Sequence, residues 1–138
     1  MIDVNKGILT LSKLRDGDEY FYVKGRKSNF KVKEFACKDG SDEIKVDSEL
    51  IEKLQSLREF FNRPIVVNSG YRTVDYNRKV GGVSASQHVL GKAADIIVKN
   101  TYPSTVAKVA KDFGFTGVGT YKDFVHVDVR EHKSYWNG

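Results

Sequence analysis

SASQHVLGKAAD, residues 84 to 95, sets His88 seven positions ahead of Asp95, with Gly91 between them and two alanines directly before the acid. The chain holds only three histidines, so one placed here calls for a reason. A glycine midway permits a turn at Leu90-Gly91-Lys92, and a turn there folds the chain back so that both side chains meet at one point. Ala93 and Ala94 are small enough to let the returning strand pack closely.

Working outward, AADIIV reads as a buried strand, and so does IVVNSG, which ends at Ser69-Gly70. In FVHVDV the alternation puts Val125, Val127 and Val129 on one face and His126 with Asp128 on the other. FTGVGTYKDFVHVDVR therefore predicts two strands joined by a tight turn near Lys122-Asp123. The clearest helix is DSELIEKLQSLREFF, capped by Asp47 or Ser48, with a core stripe of Leu50, Ile51, Leu54, Leu57, Phe60 and Phe61. Thr73 caps a short helix stopped by Gly81-Gly82, and another runs from Pro103 to Phe113 with Gly114 as its stop. Upstream, ILTLSKLRDGDEYFYVK predicts a hairpin around Asp16-Gly17-Asp18, within an N-terminal extension of residues 1–28. FKVKEF predicts an edge strand that opens the main domain, residues 29–138. The fold class expected is α+β, a small and mainly antiparallel sheet flanked by helices, with any site at an open cleft.

Composition narrows the chemistry. With 138 residues, 40% hydrophobic and 30% charged, the chain is long and apolar enough for one core, and no long disordered region is expected. Cys37 is the only cysteine, which excludes an internal disulfide and a Cys-rich zinc module, so a metal would have to be held by histidine and carboxylate. The net charge of +5 favours an anionic partner. Nucleic acid is not expected, because the lysines are spread out and no basic stretch is interleaved with aromatics. The first twenty residues lack the order of a signal peptide, no apolar run reaches membrane-spanning length, and a monomer without membrane insertion is expected.

A catalytic zinc site needs three protein ligands and an open fourth position, where a water's pKa falls to roughly 7. His88 and Asp95 supply two ligands, and His126, on the polar face of its strand, supplies the third. His132 lies in the polar tail REHKSYWNG and is expected at the surface.

At these residues the chain resembles the M15-type zinc peptidases: the D-alanyl-D-alanine carboxypeptidases and related peptidoglycan peptidases, phage endolysins among them. SQHVLGKAAD carries the Ser-x-His-(x)6-Asp pattern, with VNSGYRT before it and GVGTY and FVHVDVR after it, over about residues 29 to 136. The resemblance implies a hedgehog/DD-peptidase-like fold and one zinc ion on His88, Asp95 and His126. It implies further that Arg72 steadies the oxyanion and that Ser86 is a hydrogen-bond donor to substrate. The alternative for Arg72 is a salt bridge to Asp75 or Glu59. For the general base two carboxylates stay open: Asp123, three residues before His126, and Asp128, which could instead orient a ligand.

The substrate implied is the peptidoglycan stem peptide, cut by a D,D-carboxypeptidase or an endopeptidase. Such an enzyme would be made in the cytoplasm and act at the bacterial wall after release or as part of a phage particle. The alternative is a non-catalytic wall-binding or structural module that keeps the metal-site fold, a use for which hedgehog signalling domains give precedent.

Overall fold

In the computed structural model, which describes residues 1–138, the chain begins with strands Ile2–Val4 (β1), Ile8–Leu11 (β2), Tyr20–Val23 (β3) and Arg26–Lys31 (β4), followed by a 3-10 helix at Val32–Phe35. Strand Ile44–Asp47 (β5), helix Ser48–Phe61 (α1), strand Ile65–Ser69 (β6) and helix Val74–Lys79 (α2) come next. The last part holds Ala93–Val98 (β7), helix Pro103–Asp112 (α3), Gly117–Thr120 (β8), Val125–Asp128 (β9) and Ser134–Asn137 (β10). The architecture is mixed α+β, with five of the seven strand pairings antiparallel.

The largest sheet has the order β10-β8-β9-β7-β6. One of its faces is apolar: Ala94, Ile96, Val98, Val118, Val125 and Val127 are buried in a core shared with α1 and α3. Because side chains alternate, the opposite face carries Asp95, His126 and Asp128. Pairing then aligns one row across all five strands: Ser69 opposite Asp95, Asp95 opposite His126, His126 opposite Gly119, and Gly119 opposite Trp136. A bulge in β6 between Val67 and Ser69 shifts the register and brings Ser69 into that row.

Helix α1 forms as its sequence predicts. The Asp47 carboxylate accepts from the Glu49 backbone N–H at 2.8 Å, and Asn62 ends the helix in the left-handed region at φ 51°. Leu50, Ile51, Leu54 and Leu57 are buried, whereas Phe60 is 59% exposed. At 100° per residue Phe60 falls about 120° from Leu54, off the stripe. Gln55 exchanges two 2.9 Å hydrogen bonds with Asn29, tying α1 to β4.

Three local expectations are corrected. The strands near residues 8–11 and 20–23 exist but do not pair with each other: β2 pairs with β5, and β3 lies between β1 and β4. The hairpin is β3–β4, turning on Lys24 and Gly25, both at positive φ, which matches strand twist better than the long 12–19 connection. Val32 and Phe35 belong to the 3-10 helix rather than an extended strand, since a spacing of three puts both on its buried face. The tail is also no polar loop, because Ser134–Asn137 adds to β8 as a parallel strand. Val4 and Phe21, from the first 28 residues, sit in the same core cluster as α1. No helix is long and apolar enough to cross a membrane.

The turn between His88 and Asp95 depends on Gly91, at φ +76°, where a Cβ would lie 2.6 Å from the Lys45 carbonyl oxygen. Gly91→Ala is expected to lower stability by about 1–3 kcal/mol through strain and displaced packing. Gly40→Ala, also at positive φ but with open space around it, is expected to cost about 1 kcal/mol. Urea unfolding of both variants checks this, and equal losses would refute the packing argument.

Candidate metal centre

The strand row delivers two of the three predicted metal ligands, and the Gly91 turn delivers the third. Ligand atoms of His88, Asp95 and His126 all lie within 4.8 Å of one another. His88 Nε2 is 3.3 Å and His126 Nδ1 is 3.0 Å from the same Asp95 oxygen, Oδ1. The outer nitrogens are engaged elsewhere. His88 Nδ1 lies 2.8 Å from the Gly70 carbonyl and can only donate to it, which leaves Nε2 with its lone pair directed inward. His126 Nε2 lies 2.7 Å from Asp128 Oδ2, which fixes that tautomer so that Nδ1 faces the cluster.

Electrostatics agree with this donor set. Burial alone would raise the Asp95 pKa, but the imidazoles of His126 and His88, once protonated on the nitrogens that face it, outweigh burial and hold the carboxyl well below the usual range. Burial would lower the pKa of His126, yet Asp128 and Asp95 together push it up. Both directions say that the cluster attracts positive charge. Two imidazole lone pairs and a carboxylate oxygen, converging with their tautomers fixed from behind, suit a divalent ion with an open position.

The neighbouring motifs explain how the cluster is held. In SGYR, Gly70 lets the chain pass the 3-10 helix, where a Cβ would come within 2.7 Å of Phe35 Cα. Its carbonyl orients His88, and the Arg72 backbone N–H donates to the His88 carbonyl at 3.1 Å. The Arg72 guanidinium donates from Nε to Ser69 Oγ (3.3 Å) and from Nη1 to Asn77 Oδ1 (3.2 Å), and Nη2 stands 3.7 Å from Asp95. Neither alternative salt bridge forms, since Asp75 pairs with Arg78 and Glu59 accepts from Gln55. Ser86 is buried, and its hydroxyl oxygen accepts from the His88 backbone N–H at 3.2 Å.

The two open carboxylates differ sharply in setting. Asp128 is fully buried; Oδ1 accepts from the backbone N–H and Nε of Arg130, and Oδ2 accepts from Arg130 Nη2 and His126 Nε2. Burial would raise its pKa, but these bonds bring it down to about 2. Asp123 is exposed on the bend between β8 and β9, outside the cleft wall, while Tyr121 and Phe124 on either side of it line the cleft. His132 is exposed, as expected.

The cluster opens into a cleft of about 560 Å³ whose wall includes residues that the sequence reading missed: Arg130, Trp136, Tyr121, Phe124 and Gln87. The Gln87 side-chain oxygen is buried without a partner, an acceptor that a ligand or water in the cleft would satisfy. Trp136, the only tryptophan, donates its indole N–H to the Tyr121 hydroxyl at 2.9 Å, and its ring lies 5.2 Å from that of His126. The signal for it was GVG: Gly117 leaves room for the Asp128 carboxylate and Gly119 for the indole, where a Cβ would fall within 2.5 Å.

A family model described as Peptidase M15 matches residues 28–128, which include His88, Asp95 and His126 but stop short of Arg130 and Trp136. The chain is also similar to the zinc D-Ala-D-Ala carboxypeptidase of Streptomyces albus G, 38% identical over 81 residues that make up 54% of this chain and 32% of that protein. It therefore spans about a third of that relative's length.

Trp136 makes the cleft observable. Gly119→Ala is expected to displace the indole, red-shifting its emission and raising its quenching by acrylamide, whereas Gly17→Ala, where a Cβ meets only an ordinary 3.8 Å contact, leaves both as they are. An unchanged spectrum for Gly119→Ala would mean that β10 is not docked as described.

Proposed function

Since the chain belongs to the peptidase M15 family, we propose that it is a zinc-dependent peptidase that hydrolyses a peptide bond in the stem peptide of bacterial peptidoglycan. The observation that carries this reading is the convergence of His88 Nε2, Asp95 Oδ1 and His126 Nδ1 in the wall of a cleft. Bound by these three, zinc supplies Lewis acidity that acidifies a water and polarises a carbonyl. The name of the Streptomyces albus G relative supports both the metal and the D-alanine-containing substrate class, and the chain's net positive charge suits an anionic polymer.

The protein's own groups divide the remaining work. Arg72 is held on three sides at the metal centre, so its charge is in place before the reaction and steadies the carbonyl oxygen as negative charge develops there. The Ser86 oxygen accepts from the His88 backbone N–H, which leaves its O–H free to donate a hydrogen bond to the substrate backbone. Asp128 orients His126 and keeps Nε2 protonated; with both oxygens occupied and a pKa near 2, it is a poor base. Asp123 is then the carboxylate left to take the proton from the attacking water and return it to the leaving amine nitrogen. It is exposed, takes part in no ion pair, and lies on the bend between Tyr121 and Phe124, which line the cleft.

Mass spectrometry of purified muropeptides, incubated with the protein with and without a chelator, tests the reaction. Chelator-sensitive loss of D-alanine indicates a carboxypeptidase and cleavage within the stem an endopeptidase, while no product from protein with zinc bound refutes the proposal. Three variants test the division of roles. Asp123→Asn is expected to lower kcat by about 10²–10⁴-fold with zinc content unchanged. Asp128→Asn is expected to weaken zinc binding by about 10–100-fold, read by competition with a chromogenic chelator. Arg72→Gln is expected to lower kcat by about 10²–10³-fold.

A further inference from the structure

We infer that Arg130, presented by the segment that follows β9 next to the metal centre, is a substrate-carboxylate anchor; this rests on the peptidase reading above. Two arginines line the cleft, and their donors are used differently. Every side-chain nitrogen of Arg72 has a protein partner. Arg130 gives Nε to Asp128 Oδ1 at 2.9 Å and Nη2 to Asp128 Oδ2 at 2.6 Å, and this two-pronged pair leaves Nη1 with no acceptor. The side chain is 26% exposed, and its guanidinium carbon lies 5.1 Å from the Trp136 ring centroid. Pinned along one edge by a carboxylate and on its face by an aromatic ring, the guanidinium is frozen with one donor edge open, so binding there forfeits little side-chain entropy.

The open edge also selects the chemistry of its ligand. Asp95 and Asp128 offset the charges of the two arginines, and a divalent ion adds positive charge, so the cleft of the holoprotein favours an anion. A planar guanidinium edge suits a carboxylate, and the aromatic surfaces of Trp136 and Tyr121 in the same wall suit a small apolar group such as a methyl. Together these describe an alanine-like residue with a free carboxylate. A stem peptide offers such a charge at its terminal D-alanine and another on its D-glutamate.

The test uses the zinc-loaded protein and three peptides: a stem pentapeptide with all carboxylates free, the same peptide amidated at its C-terminus, and one amidated at the glutamate carboxylate. Wild-type protein is expected to favour the free acid over one of the two amides by about ten- to hundredfold in kcat/KM, expressed mainly in KM. Preference against the terminal amide identifies the terminal carboxylate as the ligand, and preference against the glutamate amide identifies the internal one. In Arg130→Gln that preference should fall at least tenfold. Equal losses on acid and amide would make Arg130 merely structural through Asp128 and overturn the inference. If Arg130→Gln does not fold or loses zinc, Arg130→Lys, which keeps the charge but not the second donor edge, is compared in the same way. Calorimetric binding of the dipeptide D-Ala-D-Ala and its amide separates the two readings. Acid-selective binding that Arg130→Gln abolishes, without any cleavage, would sink the peptidase and keep the anchor; cleavage with an unchanged acid preference would do the reverse.

Discussion

The pairing of Asp95 with His126 across β7 and β9 is the constraint on which the centre depends. It places a carboxylate and an imidazole side by side on the same face of the sheet, and the Gly91 turn needs only to return His88 to them. A slip of one residue would turn Asp95 and His126 toward the helices and bring valines to the cleft. What prevents the slip is the other face of the sheet, where Ala94, Ile96, Val118, Val125 and Val127 are buried in the core. Hydrophobic packing on one side thus sets the geometry of a polar centre on the other.

Charge is organised in shells around that pair. Asp95 lies between two histidines with Arg72 beyond it, and Asp128 lies between His126 and Arg130. Each buried carboxylate is matched by a cation and by hydrogen bonds, which is the condition for keeping such groups inside a protein. The arrangement also separates two acids of similar appearance. Asp128, two residues beyond His126, is buried and hydrogen-bonded to His126 and Arg130, and Asp123, three residues before it, remains exposed.

Much of this was legible in local spacing. The caps of α1 and α2, the Pro103 start of α3, the Gly91 turn and the alternation in FVHVDV depend on neighbours a few residues away, and all are found where the sequence places them. The N-terminal pairing was not legible, because β2 and β3 are both short and half-exposed, and their partners are chosen by the core on which they pack. The two glycines of GVG were visible as residues, but what they make room for lies elsewhere in the chain. The tail was misjudged for a related reason: its run of Arg130, Glu131, His132 and Lys133 looks like a polar surface segment, and only docking beside β8 turns Trp136 toward His126.

By itself the sequence determined the α+β class and nominated His88, Asp95 and His126, because periodicity and glycine placement act over short range. It also supplied Arg72, Ser86 and two rival acids as candidates. Only the tertiary structure decided that Asp128 supports His126, that Arg72 faces Asp95, and that Arg130 and Trp136 form part of the cleft. Those outcomes depend on strand register and on contacts between segments far apart in the chain, which no local pattern encodes.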